Sequence, residues 1–333
     1  MKKSLALILC GLMMLLAACS GGGSKQTSGG EKNEKVVKIG ISQLVEHPSL
    51  DAAREGFIAA LKDAGYVEGK NLKIDYQNAQ GDVNTNMSIA QKLVGEKNDL
   101  ILAIATSSAQ AVVKSTKDIP VLFTAITDPV GAGLVKSLDK PGGNVTGTSD
   151  THPEAIKKTI AAIKTFVPSA KKVGIIYNSG EPNAVVNVKN AKIALKADGL
   201  EPVETSISTS SEVKQAAQSM VGRVDALYIP KDNTVVSALE SVIEVANSQK
   251  IPTFVGEGDS VKRGTFASYG LDYHDLGYST GKMAVEILKG KKPSDIPVGF
   301  PENLQLYINK KAAQQEGITL KEDLLKGAKI VGE

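Results

Sequence analysis

Residue types that commonly build binding and catalytic sites are scarce in this sequence of 333 residues. It has no tryptophan, aromatic residues make up 4% of it, and its only cysteines are Cys10 and Cys19. Beyond residue 19 we therefore expect no disulfide, no cysteine-ligated metal and no cysteine nucleophile. Sugar sites usually present aromatic faces to their ligands, so the low aromatic content also disfavours a sugar-binding protein.

The motifs of the common enzyme classes are missing as well. The sequence has no GxSxG, HExxH or P-loop motif and no Ser-His-Asp order typical of a hydrolase. Its three histidines, His47, His152 and His274, do not have the spacing of metal ligands. Because His47 precedes Pro48, we interpret it as a loop residue that hydrogen-bonds locally. The sequence predicts a protein that is not an enzyme and needs no metal or cofactor.

One hydrophobic run, at residues 5–17, follows the positive charges of Lys2 and Lys3. It is shorter than the roughly 20 apolar residues of a membrane-spanning helix, and it ends in the small residues of a cleavage site. The tetrapeptide LAAC, which ends at Cys19, resembles a lipobox, in which the cysteine is acylated and becomes the new N-terminus. We predict a signal peptide at residues 1–18 and lipidation at Cys19. An ordinary signal peptide with an incidental Cys19 is the alternative.

These features place the mature protein on the outer face of the cytoplasmic membrane, in contact with it through the lipid only. Residues 19–35 are rich in glycine and serine, which is typical of a flexible tether. Of the 39 lysines and arginines, 37 remain without Lys2 and Lys3, against 36 acidic residues, so the mature chain is nearly neutral. A nucleic-acid-binding protein usually has a clear basic excess, and we exclude that class of partner.

From residue 36 onwards, short apolar runs alternate with amphipathic stretches. Runs such as VKIGI (residues 37–41), LILAI (100–104) and VLFT (121–124) predict buried strands, and the stretches between them predict helices. Continuous apolar strands between helices are typical of a parallel sheet that is covered on both faces. A chain of this length without disulfides is expected to form two domains rather than one large core.

The second half of the chain repeats the order of the first. DALY (residues 225–228) parallels DLIL (99–102), and IPTFV (251–255) parallels IPVLF (119–123). Two copies of one βαβ unit predict an α/β fold of two similar doubly wound parallel-sheet lobes joined by a three-segment hinge. The general similarity of all α/β sequences is the alternative explanation of the repeat.

We expect the chain to cross between the lobes at three places. The first lies near residues 141–147, the second near residues 271–273, and the third before the C-terminal strand. These crossings assign residues 36–147 and 273–300 to lobe 1, and residues 148–272 and 301–333 to lobe 2.

In doubly wound sheets, ligands bind beyond the carboxyl ends of the strands, where loops meet helix N-termini. At these positions both halves of the chain have short hydroxyl, amide and carboxylate side chains, and free N–H groups there favour a carboxylate or phosphate. The same residue types cap helices, so capping alone remains an alternative at each position. The candidate ligand-binding residues are Ser42, Gln43, Leu44, Thr106, Ser107, Ser108, Thr124, Ile126, Asp128, Asn178, Asp232, Asn233, Gly256, Glu257 and Asp272.

These loops also carry a family resemblance. It rests on six strings, which are QLVEHPSLD (residues 43–51), ATSSAQ (105–110), FTAITDP (123–129), NVTGTSD (144–150), IYNSGEPN (176–183) and DNT (232–234). With them, the chain resembles the type I substrate-binding proteins of ABC transporters, and among these the tryptophan- and tyrosine-binding lipoproteins. The resemblance runs from about residue 36 to the C-terminus.

The resemblance implies a monomeric protein that captures an amino acid between two closing lobes and delivers it to an ABC permease and its ATPase. An apolar or aromatic ligand such as Trp, Tyr or Phe is expected. A ligand-sensing or adhesion lipoprotein remains an alternative, as does a binder of a sugar or another small solute.

Roles for the candidate residues follow from the two charges of an α-amino acid. We expect Thr106, Ser107 and Ser108, with the amides of their helix start, to bind the carboxylate. Asp232, or Asp128 of the facing lobe, is expected to bind the ammonium group. Gln43, Asn178 and Glu257 are expected to orient the ligand, and Leu44 and Ile126 to contact its side chain.

Overall fold

A computed structural model describes residues 36–332, which form two α/β lobes. The signal peptide, the tether and the lipidation that the sequence predicts at residues 1–18, residues 19–35 and Cys19 lie outside the described residues. Within the described range, no helix is long and apolar enough to cross a membrane.

Five parallel strands form the sheet of the first lobe, in the order β2-β1-β3-β4-β5. The strands are β1 (Val37–Gln43), β2 (Leu72–Asn78), β3 (Leu100–Ile104), β4 (Val121–Ile126) and β5 (Val145–Ser149). The helices of this lobe are α1 (Pro48–Asp63), α2 (Val83–Gly95), α3 (Thr106–Ser115) and, from late in the chain, α10 (Tyr273–Leu288).

Helices cover both faces of this sheet, so its central strands are entirely buried. Successive strand residues point to opposite faces. Leu100 and Leu102 therefore share a core with α1 and α10, whereas Ile101 and Ala103 share one with α2 and α3. This division explains why β3 reads as a continuous apolar run rather than an alternating one.

Seven strands form the sheet of the second lobe, in the order β12-β11-β10-β9-β8-β6-β7. The strands are β6 (Lys172–Asn178), β7 (Glu201–Ile207), β8 (Ala226–Ile229), β9 (Thr253–Val255), β10 (Ala267–Gly270), β11 (Gln305–Asn309) and β12 (Lys329–Val331). All neighbouring pairs are parallel except β10 and β11. The helices are α4 (Ala155–Phe166), α5 (Pro182–Ala197), α6 (Val213–Met220), α7 (Asn233–Ser237), α8 (Leu239–Gln249), α9 (Gly258–Arg263) and α11 (Lys310–Gln315).

Three chain segments join the lobes, after β5, between β10 and α10, and before β11. The first and third run side by side and are hydrogen-bonded to each other. The Gly299 N–H donates to the Gly147 carbonyl (2.9 Å), and the Ser149 N–H donates to the Gly299 carbonyl (2.8 Å). Strand β5 includes Thr148 and Ser149, so the first sheet extends two residues past the boundary expected at residue 147. The predicted fold class, two doubly wound α/β lobes joined by a three-segment hinge, is confirmed.

Candidate functional site

A cleft lies between the lobes, beyond the carboxyl ends of their parallel strands. The lobes nearly meet across it and leave a cavity of about 10 Å³, which is room for about one water molecule. Its lining residues are His47, Leu50, Ala125, Thr127, Asp150, Asn183, Lys231, Asp232, Asn233, Val236, Glu257 and Tyr273.

On the first lobe, the start of α3 is not capped by a side chain. The residue before it, Ala105, has φ 76°, a left-handed conformation that is strained for a residue other than glycine. The hydroxyls of Thr106, in the first turn of α3, and of Ser42, near the end of neighbouring β1, are buried and have no hydrogen-bond partner among the described residues. Free amides at a helix start together with unpaired hydroxyl donors form an edge suited to an anion.

The start of α1 lies at the same carboxyl-terminal end of the strands, and it too has no side-chain cap. His47 is its N-cap residue but makes no capping bond, and the buried hydroxyl of Ser49 has no partner within residues 36–332. The His47 ring instead crosses the cleft, where its Nε2 lies 3.2 Å from Oδ1 of Asn233. Because the Asn233 amide nitrogen donates to Glu181, its Oδ1 is the acceptor, and His47 must carry a proton on Nε2.

On the second lobe, the buried carboxylate of Glu181 organises the cleft wall. Its oxygens accept hydrogen bonds from the backbone N–H groups of Asn233 (3.1 Å) and Thr234 (2.8 Å) at the start of α7. They also accept from the side chains of Asn183 (3.1 Å), Asn233 (2.6 Å) and Thr234 (2.6 Å). These bonds fix the positions of Asn183 and Asn233, two residues through which the second lobe lines the cleft.

Two further carboxyl groups lie beside this network. Asp232 caps α7 and accepts from the backbone N–H groups of Val235 (2.8 Å) and Asn178 (2.5 Å). Burial and the neighbouring Glu181 carboxylate raise the pKa of Asp232 well above its ordinary value. The Glu257 carboxylate accepts one hydrogen bond, from the Ser260 hydroxyl (2.8 Å).

The Asn183 amide has a fixed orientation. Its nitrogen donates to the Glu181 carboxylate and to the Lys231 carbonyl (3.0 Å), so the amide cannot be flipped without losing both bonds. Its Oδ1 is consequently an acceptor only, and it is buried without a partner in the described part of the chain. Asn183 therefore offers the cleft an oxygen that needs a donor.

Polar contacts join the lobes directly across the cleft. The Asn187 amide of α5 donates to the Thr127 hydroxyl of the first lobe (3.2 Å). The Lys231 ammonium of the second lobe lies 3.0 Å from the Asp150 carboxylate, and the Tyr273 hydroxyl donates to the same carboxylate (2.8 Å). Burial and the negative charges of Asp150 and Glu257 raise the pKa of Tyr273 well above its ordinary value, so its phenol remains a donor.

The structure brings some of the predicted ligand-binding residues to the cleft. Asp232, Asn233 and Glu257 line it. Ser42 and Thr106 are not among the lining residues, but they lie near the carboxyl ends of β1 and β3 in the first sheet, with the unpaired hydroxyls described above.

Other polar candidates are occupied by contacts within the first lobe. The Gln43 amide donates to Asp51 (2.8 Å) and to a backbone carbonyl, and it accepts from Arg54 (3.0 Å). The Ser108 hydroxyl donates to the side chain of Asn86 (2.9 Å). These contacts hold α1 to β1 and α3 to α2, and they occupy the Gln43 amide and the Ser108 hydroxyl within the first lobe.

Three more candidates have local structural contacts. Thr124 shares a hydrogen bond with the Thr148 hydroxyl (3.0 Å) inside the first lobe. Asp128 accepts from the Gly131 N–H (2.8 Å) in a turn and is not part of the cleft lining. Asn178 donates to the Thr234 hydroxyl (2.9 Å) within the second lobe.

The remaining candidates lie elsewhere or act indirectly. Leu44 and Ile126 are buried in the cores of the first lobe. Asp272 caps α10 and lines a separate pocket beside the hinge. Ser107 is partly exposed on the first turn of α3, and Gly256 lies against Lys231.

Several cleft residues were not among the candidates. His47 was interpreted as a locally bonded loop residue, but its bond partner lies in the other lobe. Asp150 and Asn183 stood within the strings that carry the family resemblance, which was the available signal for them. Lys231 and Tyr273 had no such signal, because only the folded chain brings them to Asp150.

Residues 38–331 match the family described as ABC transporter substrate binding protein. The chain belongs to this family. A tyrosine-binding protein of Clostridioides difficile (strain R20291) is 51% identical over 313 residues, covering 92% of this chain and 90% of that protein. Substrate-binding proteins of ABC transporters act outside the cytoplasm and deliver small molecules to a permease, so the expected class of function is confirmed.

Two solved structures of similar proteins differ in how well they superpose. A Streptococcus pneumonia protein in complex with L-Trp is 41% identical, with a TM-score of 0.84 over 89% of this chain and 99% of its own. The ligand-free, open structure of a Clostridium difficile substrate-binding protein with adhesive properties is 45% identical, with a TM-score of only 0.66 over the same 89% and 99%. This chain thus superposes less well on the more identical relative, which was solved open and without ligand, than on the relative solved in complex with L-Trp.

Proposed function

We propose that this protein is the lipid-anchored receptor of an ABC importer and that it captures an amino acid with an aromatic or apolar side chain. The observation that carries the proposal is the chemistry of the two cleft walls. The first lobe offers uncapped helix starts and unpaired hydroxyls, and the second lobe offers a carboxylate and an obligate acceptor. An α-amino acid carries the two complementary charges.

The ligand carboxylate binds at the edge of the first lobe. The amides that start α3 and the Thr106 and Ser42 hydroxyls supply the donors. Hydrogen bonds to an ionised group are about twice as strong as neutral ones, which favours a carboxylate there over a neutral oxygen. Ser107 contributes its backbone amide to this subsite.

The ligand ammonium binds to the second lobe, at Glu257 and at Oδ1 of Asn183. Asp232 is less suited to this role than the sequence suggested, because both its oxygens accept backbone N–H groups of its own lobe. Asp128 lies in a turn away from the cleft lining. Glu257, by contrast, has a single hydroxyl partner among the described residues and lines the cleft.

The ligand side chain lies against the apolar part of the cleft, which consists of Leu50, Ala125, Val236 and the Tyr273 ring. The tyrosine-binding relative and the relative solved with L-Trp support an aromatic amino acid. We therefore propose Tyr, Trp or Phe as the ligand.

Isothermal titration calorimetry with Tyr, Trp, Phe, Leu and a set of sugars tests this function. We expect an aromatic amino acid to bind best, with at least micromolar affinity, which corresponds to about −8 kcal/mol. Glu257→Gln should weaken its binding about 10- to 100-fold, because a charged hydrogen bond is worth about 1.5–3 kcal/mol. The exposed Glu55→Gln serves as the control. Absence of binding by every amino acid would refute the proposal.

The membrane anchor is proposed on the LAAC motif and is tested separately. Cys19→Ala should release the protein from the membrane fraction while leaving its affinity for the amino acid unchanged. Uptake should fall, because the lipid and the tether hold the receptor near its permease at high effective concentration. A variant that stays with the membrane fraction would contradict lipidation at Cys19.

An adhesive role is a second candidate, since the relative whose open structure is known is described as having adhesive properties. Deleting the gene distinguishes the two roles. Loss of amino-acid uptake indicates transport, whereas normal uptake with reduced attachment to host surfaces indicates adhesion.

A further inference from the structure

Lys231 of the second lobe reaches across to a carboxylate that directly follows β5, where the first hinge segment leaves the first lobe. Lys231 follows β8 of the second lobe, whereas Asp150 is held to the first lobe by its N–H, which donates to the Ile126 carbonyl (3.1 Å). The Lys231 ammonium lies 3.0 Å from the Asp150 carboxylate and donates to the Asp150 carbonyl (2.8 Å). The side chains are only 9% and 5% exposed, so this is a buried ion pair between the lobes.

Neighbouring residues stabilise this ion pair and leave space for it. Asp150 also accepts a hydrogen bond from the Tyr273 hydroxyl, on its second carboxylate oxygen. Gly256 gives Lys231 the room to take this course, because a Cβ on Gly256 would lie 2.8 Å from Cγ of Lys231. Asp150, Lys231 and Tyr273 all line the same cleft as the proposed ammonium subsite at Glu257.

The other titratable groups of the cleft leave one place for a cation. His47 donates to Asn233, and the Asp232 oxygens accept two backbone N–H groups. Glu257 is thus the only lining carboxylate, in the part of the chain that the structure describes, with neither a cationic partner nor backbone donors. An α-amino acid fills that place with its own ammonium group.

We propose that Lys231 determines the charge specificity of the cleft, its ammonium group binding at Asp150 where a cationic side chain of a ligand would otherwise bind. The closed cleft therefore accepts amino acids with neutral side chains and rejects lysine, arginine and other basic ones. This inference rests on the proposed function and names the substrate class of the same site.

Lys231→Met tests it. When the lobes close, the variant buries Asp150 without its cation, and one buried charge without a partner is costly. We expect calorimetry to show about tenfold or greater loss of affinity for Tyr, Trp and Phe. Lysine, arginine and 4-(aminomethyl)phenylalanine should gain at least about tenfold over their affinity for the wild type, since their side-chain ammonium replaces that of Lys231.

Three further variants serve as controls. Lys231→Arg keeps the cation and should keep the preference for neutral amino acids. The double variant Lys231→Met with Asp150→Asn removes the carboxylate as well, so the gain for basic ligands should disappear. Lys157→Met removes an exposed lysine of α4 and should bind as the wild type does.

The outcomes separate the two proposals. A wild-type protein that binds no amino acid refutes the proposed function and this inference with it. If the wild type binds Tyr, Trp or Phe but also binds basic amino acids equally well, only the role of Lys231 is refuted. That role alone is also refuted if Lys231→Met gains no affinity for basic ligands while Lys231→Arg remains folded and active in binding.

Discussion

At the residue scale, buried carboxyl groups of the second lobe hold neighbouring backbone and side-chain groups in place. One of them lies beside the cleft and another lies on the opposite side of the lobe. Glu181 gathers the start of α7 and the side chain of Asn183, which are distant in sequence. Glu316, on the far side of the same lobe, accepts from the N–H (2.8 Å) and the hydroxyl (2.6 Å) of Thr253. Burial raises the pKa of Glu316 from 4.5 to about 8, although the bonds from Thr253 act in the opposite direction.

The raised pKa of Glu316 predicts a pH-dependent stability. The folded protein holds this proton more tightly than the unfolded chain, so the contribution of Glu316 is greatest below its unfolded pKa and is lost as the pH rises towards about 8. Glu316→Gln mimics the protonated form and removes this loss. Urea unfolding at pH 5 and pH 8 should show the variant gaining on the wild type, by on the order of 2–4 kcal/mol over that interval.

Glu322→Gln, at an exposed position, controls for the general effect of removing a carboxylate. Its unfolding free energy should follow that of the wild type across the same pH interval. A constant difference between Glu316→Gln and the wild type at both pH values would contradict a raised pKa for Glu316.

Single residues could be predicted from the sequence only as types. Asp232 was weighed as a helix cap and as a ligand-binding residue, and the structure shows the cap while also placing it in the cleft lining. Gln43 looked equally suitable, but Asp51 and Arg54 of the next helix occupy its amide. The sequence around Gln43 does not predict these partners, because they come within hydrogen-bond distance only when α1 packs against β1.

At the element scale, the internal repeat has a physical basis. Asp99 precedes β3 and its carboxylate accepts from the Lys38 N–H (2.9 Å), while Asp225 precedes β8 and accepts from the N–H groups of Lys171 and Lys172 (2.8 Å each). Each aspartate thus holds the start of the neighbouring strand, β1 or β6, in register. The two aspartates that match in the internal repeat therefore have the same structural role in the two sheets.

The closest helix contact of the first lobe depends on glycine. A Cβ on Gly277 of α10 would lie 1.9 Å from the Ala53 carbonyl oxygen of α1, and one on Gly56 would lie 2.0 Å from the His274 carbonyl oxygen. No side chain fits between backbones at these distances. The pair matters to the site because α1 begins at the cleft residues His47 and Leu50, and α10 begins at Tyr273.

Gly277→Ala should therefore destabilise the protein by about 2 kcal/mol or more, since overpacking outweighs the gain in helix propensity of up to about 1 kcal/mol. Thermal unfolding measures the effect. Gly95→Ala, at the last residue of α2, is the matched control because nothing lies near its Cβ position. It should leave the midpoint unchanged or raise it. Equal midpoints for the two variants would show that the α1–α10 contact tolerates a methyl group.

At the scale of the whole molecule, a small set of polar contacts holds the two lobes together across the cleft. They include the bonds between Asn187 and Thr127 and between His47 and Asn233, together with the pair of Lys231 and Asp150. Each neutral hydrogen bond contributes only about 0.5–1.5 kcal/mol, because water replaces it when the cleft opens. Ligand binding is therefore expected to set the balance between open and closed forms.

Small-angle X-ray scattering of residues 36–333 tests this expectation. With a saturating aromatic amino acid, the scattering curve should match the closed arrangement described here. Without the amino acid, the radius of gyration should be larger, as for an open two-lobed protein. Identical curves in both conditions would mean that the contacts between the lobes suffice to keep the cleft closed.

The sequence by itself determined the two-lobed α/β fold and the family, because apolar runs and turn residues act over short distances along the chain. It also predicted a ligand site at the carboxyl ends of the strands, since parallel topology brings those ends together. Only the tertiary structure decided which residues face each other there. The pairing of Lys231 with Asp150, the fixed amide of Asn183 and the glycine contact of α1 with α10 depend on how separately folded elements are oriented. No local pattern carries that orientation, because it results from the packing of the whole chain.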